Sequence, residues 1–455
     1  TEVTETVNSE NVATDNSAAE TASNDNANIS LESETGFEQR FQRIAVGESF
    51  NAATVFGNGV SNVKVINSNI ASASGTTITA KAFGRTQVVG TVNGEMSIIE
   101  LEVRTSSSDI AAPMVAAGGG HTVALKKDGT VLAWGRNDGG QLGNNNTSNK
   151  SLPVQVKGGA SGSEYLTDVV QVTAGNWHSM ALKANGTVYA WGWGQYGQLG
   201  NGYTTNSYDS DQYIGEKIYS APVQVLNGAQ TSETGYLKEV VQIDAMGGTG
   251  HNDRNRFGTS LAVTESKEVY GWGNSLYGAL GVKSSIVSKP VRVGTDISNA
   301  VQVAGGGKSG SDDWHVNSIG NTGYTYILKE DGTVSSLGYN VNGELGNGAK
   351  VSTTAVQEVS NLTEIMQVAG SKNGNFGAAV KEDGTVWTWG VNTNGQLGNG
   401  TTDSPKLNAI QVGSSGSNAM RISYGSIMHG TDVLEKFDDP NQIIGNITIA
   451  EDDTF

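Results

Sequence analysis

The chain has no cysteine. Disulfides, thiolate nucleophiles and cysteine-ligated metals are therefore excluded. Proline is nearly as scarce, at 6 residues in 455, and the glycines follow no Gly-X-Y period, which excludes a collagen-like rod. Positive charge is in deficit: 28 Lys and Arg stand against 45 Asp and Glu, for a net charge of −17. A chain without a basic stripe has nothing to displace the counterions of a nucleic acid, so no nucleic acid partner is expected. An anionic membrane surface is an equally poor match. No apolar run approaches the ~20 residues of a membrane-spanning helix, so no membrane insertion is expected. Catalytic signatures are missing too. There is no G-x-S-x-G elbow, P-loop, H-E-x-x-H helix or strand-borne carboxylate pair. The glycine-rich GTGHND at 248–253 does not open a helix and so makes no phosphate cradle. The expectation is a protein that is not an enzyme, with no catalytic residue, no metal and no cofactor.

What is abundant is glycine, 62 residues, alongside only 36 % hydrophobic residues. Many short, half-exposed strands joined by tight turns satisfy both numbers, which points to an all-β architecture. Residues 1–28 carry Glu2, Glu5, Glu10, Asp15, Glu20 and Asp25 with no Lys or Arg and scarcely a large apolar side chain. Such a segment cannot offset its ordering entropy and is expected to be disordered, either as a spacer or as a plain solvated terminus. The first residue is Thr1, not methionine. A cleaved secretion signal or a cut from a longer chain would each leave that.

From 29 to 105 the pattern becomes period two. Ile78, Ala80 and Ala82 alternate, as do Ile99, Leu101 and Val103, with turns at Gly57-Asn58-Gly59, Ser74-Gly75 and Asn93-Gly94. This reads as a small N-terminal β-sandwich. The runs AVGESF (45–50) and NSNIASASGTTITAKAFGRTQVVGTVNG (67–94) resemble a bacterial immunoglobulin-like domain of group 2. That resemblance implies a spacer module of a bacterial surface protein, and hence a secreted or cell-surface location.

From about residue 110 the chain repeats itself. GGQLGN at 139–144 returns as GQLGNG (197–202), GALG (278–281), GELGNG (343–348) and GQLGNG (395–400). An apolar strand opens each unit: VAAGGGH at 115, VTAGNWH at 172, IDAMGGTGH at 243, VAGGG at 303, VAGS at 368 and ISYGS at 422. Asp-Gly or Asn-Gly turns at 128, 185, 331 and 383 lead toward Trp134, Trp191, Leu337 and Trp389, and Trp272 holds the same place in the third unit. The Asp-Gly pair supplies the positive φ that a two-residue hairpin demands, and the aromatic after it is expected to pack between neighbouring sheets. A unit of four short strands needs roughly 40–50 residues. The units here are longer, so some carry long loops.

Together these elements resemble the regulator of chromosome condensation family of β-propellers, over some 300 residues from 110 to 416. The resemblance implies a ring of four-stranded blades, usually seven. Five units are complete. A sixth, starting at Met420, lacks the Trp-Gly and Gly-x-Leu-Gly elements. The expectation is a propeller over 110–449 of about six blades, or seven with one incomplete, followed by a short tail at 450–455. The last blade would use 421–449 and a strand near 111–116.

Each candidate for chemistry has a structural reading beside it. His121, His178, His251, His315 and His429 all follow the unit-opening strand, with Phe376 in that place in the fifth unit. They could form a ring of imidazoles, but a metal needs donors within ~2.1 Å of one ion, and separate blades hold them apart. Hydrogen bonds that fix each turn are expected instead. The acid pairs Asp209/Asp211, Asp312/Asp313 and Asp438/Asp439 lack the spacing of a calcium loop. Binding is expected on three insertions, 203–219, 248–258 and 308–326. Their rings and cations are Tyr203, Tyr208, Tyr213, Tyr219, Arg254, Arg256, Trp314 and Tyr324, with Trp193 and Tyr196 just upstream. Rigid amphipathic rings among Ser, Asn, Asp and Gly have the composition of a paratope. The functional expectation is an extracellular bacterial binding protein, a monomer, presenting a platform to a protein or glycan ligand. Two alternatives stand. One is guanine-nucleotide exchange on a small GTPase, which the family resemblance implies. The other is a structural spacer within a larger adhesin.

Overall fold

The structure is a computed structural model. It describes residues 41–412 except 83, 105–108, 205–216, 231–233, 248–256, 308–322, 373 and 383–384. These residues fall within one compact unit, 38–455. The acidic segment 1–28, the sixth unit from Met420 and the tail 450–455 lie outside the described residues.

Residues 41–104 form two sheets. One is four-stranded, in the order Phe41–Ala45, Glu95–Arg104, Gly84–Val92, Ser61–Val65, and the other is three-stranded, Ser49–Asn51, Thr77–Ala80, Ala71–Ser74. Asn93 and Gly94, with φ of 55° and 90°, make the tight turn between the two longest strands. Ile44, Phe56, Ile78, Val88, Ile99, Leu101 and Val103 share one buried cluster between the sheets. The alternation read at Ile99, Leu101 and Val103 is thus the inward face of a strand.

Five four-stranded antiparallel sheets follow. The first has strands Met114–Ala117, His121–Leu125, Val131–Gly135 and Lys150–Gln155. The second has Val169–Ala174, His178–Lys183, Val188–Trp193 and Ile218–Gln224. The third has Val240–Met246, Thr259–Thr264, Val269–Asn274 and Ile286–Val293. The fourth has Ala300–Gly306, Tyr324–Lys329, Val334–Gly338 and Thr353–Glu358. The fifth has Ile365–Gly370, Phe376–Lys381, Val386–Gly390 and Lys406–Gln411. These are five propeller blades among the described residues. The strand expected near 111–116 to complete a last blade belongs to the first one. Met114–Ala117 pairs with His121–Leu125 because the intervening Gly118-Gly119-Gly120 turns the chain straight back.

The first strands of successive blades lie innermost and are joined by a repeated glutamine. Gln171 Oε1 accepts from Ile243 N at 3.0 Å while its Nε2 donates to Ile243 O at 3.1 Å. Gln242 does the same to Val303, at 3.0 Å each way, and Gln302 accepts from Val368 N at 3.0 Å. A primary amide matches the donor-acceptor pair of one peptide unit, so each glutamine extends its neighbour's backbone as a strand would. On the axis, Lys372 of the fifth blade reaches Asp244 of the third at 2.5 and 2.6 Å and Ala245 O at 2.7 Å. Asp244 also accepts from Gly305 N of the fourth blade at 2.8 Å and Thr173 Oγ1 of the second at 3.4 Å. One carboxylate therefore ties four blades together.

Further out, three of the Gly-x-Leu-Gly elements dock on the tryptophan of the next blade, and Gly278–Gly281 meets Leu337 in its place. Trp191 Nε1 donates to Gln141 O at 2.9 Å, Trp272 Nε1 to Gln198 O at 3.1 Å, and Trp389 Nε1 to Glu344 O at 2.9 Å. These three indoles are wholly buried, as are Leu142, Leu199, Leu280, Leu345 and Leu397. Trp134, whose preceding blade would be the closing one, is half-buried. The glycine after the tryptophan is obligatory. Gly273 has φ +102°, and a Cβ there would lie 2.3 Å from Gly258 O.

Antiparallel blades have two faces. The lower one holds the starts of the inner strands and the Asp-Gly hairpins. The upper one holds the turns between first and second strands and between third and outer strands. The N-terminal sheets dock on the lower face. Val89, Ile98 and half-buried Ile66 share an apolar cluster with Val301 and Met366, at the inner-strand starts of the fourth and fifth blades. Arg85 donates to Val170 O of the second blade and to wholly buried Glu102 at 2.7 Å. Glu102 also accepts from Ala112 N at 2.9 Å, and Lys64 meets Glu382 at 2.5 Å. The strand Glu95–Arg104 therefore buries both its faces, Ile99 toward its own sheet pair and Ile98 toward the propeller. No described helix is long and apolar enough to cross a membrane.

Candidate interaction face

The upper face is built on three kinds of support. The first is an asparagine staple. Asn340 Oδ1 accepts from Leu345 N at 2.9 Å while its Nδ2 donates to Asn347 Oδ1 and Ala349 O, both at 3.1 Å. Asn137 and Asn392 repeat the arrangement in the first and fifth blades. All three are wholly buried, and each fixes the short loop before the outer strand. In the second blade the position is Gly194, and it is there that insertion 203–219 occurs.

The second support is the histidines. His121 Nε2 lies 2.8 Å from Ser179 Oγ, and His178 Nε2 lies 3.0 Å from Ser260 Oγ. Each serine gives its own proton to a carbonyl, Ser179 to Gln141 O at 2.9 Å and Ser260 to Gln198 O at 2.8 Å. The imidazole must therefore be the donor, with its proton on Nε2. Burial pulls His121 down to about 4. Burial, with His121 and Lys372 nearby, pulls His178 down to about 3. Both are neutral at physiological pH. These bonds join one blade to the next, which extends the expected turn-fixing role. The expected equivalence of His251 and His315 fails at the register. Their place opposite the glycine that pairs with the second strand is held by Thr259 and Tyr324, because in these units extra residues stand in the sequence between the first strand and that position. His251, His315 and His429 lie outside the described residues.

The third is an aromatic cluster of Trp177, Trp193, Tyr196 and Phe257 above blades one to three. Tyr196 and Phe257 are 4.5 Å apart between centroids, and the Arg136 guanidinium caps Trp177 at 4.1 Å. Trp193 is 2 % exposed and Tyr196 6 %. They were expected as binding anchors but are packing groups, because the turns of adjacent blades close over them. Tyr324 is 0 % exposed and lies on a strand instead of an insertion. Its hydroxyl donates to Phe376 O at 2.8 Å, and its pKa is driven up by burial. Tyr203 is half-buried under Lys217, whose Nζ is 4.8 Å from the ring centroid. Tyr219 lies on an outer strand, partly packed against the core. Tyr208, Tyr213, Arg254, Arg256 and Trp314 lie outside the described residues, as do Asp209, Asp211, Asp312, Asp313, Asp438 and Asp439.

The described ends of all three insertions, 204 and 217, 247 and 257, 307 and 323, open on the upper face. The lower mouth is taken by the N-terminal sheets. Among the described residues no group of three or more His, Asp or Glu side chains could hold a metal ion. Sequence reasoning passed over the glutamine latches, the Asp244–Lys372 pair and the asparagine staples. The Gln that recurs two or three residues before the Ala-Gly or equivalent, in the second to fifth units, was the available signal for the first of these.

A family model described as RCC1-like domain matches residues 67–428. Its lower bound lies inside the N-terminal sheets. The human protein Regulator of chromosome condensation is 29 % identical over 335 residues, covering 71 % of this chain and 70 % of its own length. The mouse E3 ubiquitin-protein ligase HERC2 is 29 % identical over 314 residues, 69 % of this chain. The match spans only 6 % of that ligase. Among solved structures, human WBSCR16 matches with a TM-score of 0.49 at 21 % identity, covering 73 % of this chain and 80 % of its own.

Proposed function

The chain belongs to the family of RCC1-like domains, and on that premise we propose that its propeller is a protein-interaction platform whose working surface is the upper face. The observation that carries this reading is the asymmetry of the ring. The lower mouth is occupied by the chain's own N-terminal sheets through Val89, Ile98 and Arg85, while all three insertions open on the other side. Insertions on one face of a repeat scaffold are the usual carriers of binding specificity. The resemblance of 45–94 to a bacterial immunoglobulin-like module supports a finer version, in which the protein works outside a bacterial cell on a protein or glycan ligand. The docked module would then act as a fixed base rather than a loose spacer.

The test is affinity capture from extracts with three proteins: the full chain, a chain with 205–216 replaced by a short Gly-Ser linker, and a lower-face variant, Lys64→Glu. The reading expects partners to be lost with the insertion and kept with Lys64→Glu. Loss in the reverse order would overturn it. Protease treatment of intact cells tests the location: an exterior protein is digested and an interior one is spared.

A second reading, guanine-nucleotide exchange, is favoured by the 29 % identity to the human Regulator of chromosome condensation across most of both chains. It requires faster release of a fluorescent GDP analogue from a small GTPase encoded in the same genome. A rate unchanged by saturating protein would remove it.

A further inference from the structure

Several lysines at the lower ends of the blades are matched with carboxylates. Lys126 pairs with Asp128, Lys183 with Asp168, Lys267 with Glu330, Lys329 with Glu358 and Lys381 with Glu364. On the upper rim Lys406 is paired with Asp403, but two other lysines are not so matched. Lys283 and Lys350 stand at the entries to the outer strands of the third and fourth blades. Both are exposed, and neither has a carboxylate within ion-pair distance among the described residues. In a chain of net charge −17, two such lysines on neighbouring blades make a local positive field.

Lys283 itself lines a hollow against the outer strand of the fourth blade. A cavity of about 320 Å³ is lined by Leu276, Tyr277, Val282, Lys283 and Thr354, among others. Tyr277 is 44 % exposed and has φ +65°, a left-handed backbone that a bulky residue adopts only at a cost of about 1–3 kcal/mol. Its ring stands edge-on to Tyr339, with centroids 5.0 Å apart and planes at 70°. The matching positions in the other blades are Gly139, Tyr196, Asn342 and Asn394. Of these Tyr196 alone is aromatic, and it is buried beneath Phe257. Val341, 49 % exposed, continues the apolar surface two residues beyond Tyr339. The fold thus holds an exposed ring on a strained backbone, beside a side-chain-sized hollow and near two exposed lysines that have no ion-pair partner among the described residues.

We propose that this patch, Tyr277, Tyr339 and Val341 with Lys283 and Lys350, docks an acidic peptide segment of a partner protein. One apolar side chain of the segment would fill the hollow, and its carboxylates would face the lysines. The proposal rests on the platform reading above and names the site and chemistry within it. A pre-ordered aromatic supplies contact area with little ordering cost, and the lysines set orientation and encounter rate.

The experiment selects a displayed random peptide library, about twelve residues long, on the full chain and repeats it on two variants. Tyr277→Gly removes the ring and suits the left-handed backbone, so it leaves folding intact. Lys283→Glu with Lys350→Glu reverses the rim charge. Thermal unfolding checks that both variants fold. Peptides recovered by the native chain should be acidic with one Leu or aromatic anchor. They should bind roughly tenfold or more weakly to either variant, and the native binding should weaken with salt. Leu152→Ala, an exposed apolar residue on the first blade, should bind as the native chain does. Recovery of neutral or basic peptides, or equal binding by both variants, overturns the proposal. If partners captured through 205–216 survive Tyr277→Gly, the platform stands and this patch fails.

Discussion

His121 and His178 each give their N–H to a serine of the following blade, and both are held neutral, at about 4 and about 3. The unfolded chain takes up these protons near pH 6.5, while the folded chain does not until far lower. Stability is therefore complete above about 6.5 and is lost as pH falls toward 4. The loss is on the order of 3 kcal/mol for each imidazole. Denaturant midpoints measured between pH 7.5 and 4.5 should fall steeply. In His178→Gln, which keeps a donor without the titration, the slope should be visibly flatter. At the same scale, Trp272→Phe removes one indole N–H from Gln198 O, which keeps its bond from Ser260. The expected cost is about 1–2 kcal/mol by chemical unfolding, against 3–5 kcal/mol for Trp272→Ala.

At the scale of elements, the third-to-outer-strand loops of the first, fourth and fifth blades hang on single asparagines. Asn340→Ala strands the Leu345 amide and frees the 347–351 loop. We expect a loss of about 2–3 kcal/mol and a rise in amide exchange confined to that loop. Elements whose determinants are local were legible beforehand. The Asp-Gly hairpins, the Trp-Gly strands and the Gly-x-Leu-Gly turns each lie within a dozen residues and are written in residue types that little else can replace. What was illegible depends on partners brought together by curvature. Asp244 and Lys372 are 128 positions apart, and no periodicity links them. Trp193 and Tyr196 broke the repeat pattern and so read as surface. They are off-pattern because they close a local aromatic cluster above blades one to three. Tyr324 read as a loop residue because the long insertion before it hid the start of its strand. The double face of Glu95–Arg104 was half visible: Ile98 beside Ile99 departs from strict alternation, as a strand covered on both sides must.

At the scale of the molecule, the docked N-terminal sheets decide which way the protein faces. The interface combines Val89 and Ile98 with Arg85, which bonds Val170 O and buried Glu102, so removing Arg85 breaks both bonds and leaves Glu102 to Arg43 at 3.9 Å and Ala112 N, at a cost of about 3 kcal/mol. Ile98→Asp with Arg85→Ala should release the sheets, read as rapid proteolytic cutting between residue 104 and Met114 while the five blades stay resistant. Unchanged protease resistance would mean that the two parts are held by something else. The same interface has a mechanical consequence. A tension entering through the N-terminal sheets does not peel the first blade away strand by strand. It is delivered at once to the second, fourth and fifth blades, through Val170, Val301, Met366 and Glu382, and the bond at Asp244 passes it to the third. Parallel loading of several sheets resists rupture far better than unzipping one, so force applied through the N-terminal sheets should unfold the propeller at a higher load than force applied to the first blade alone.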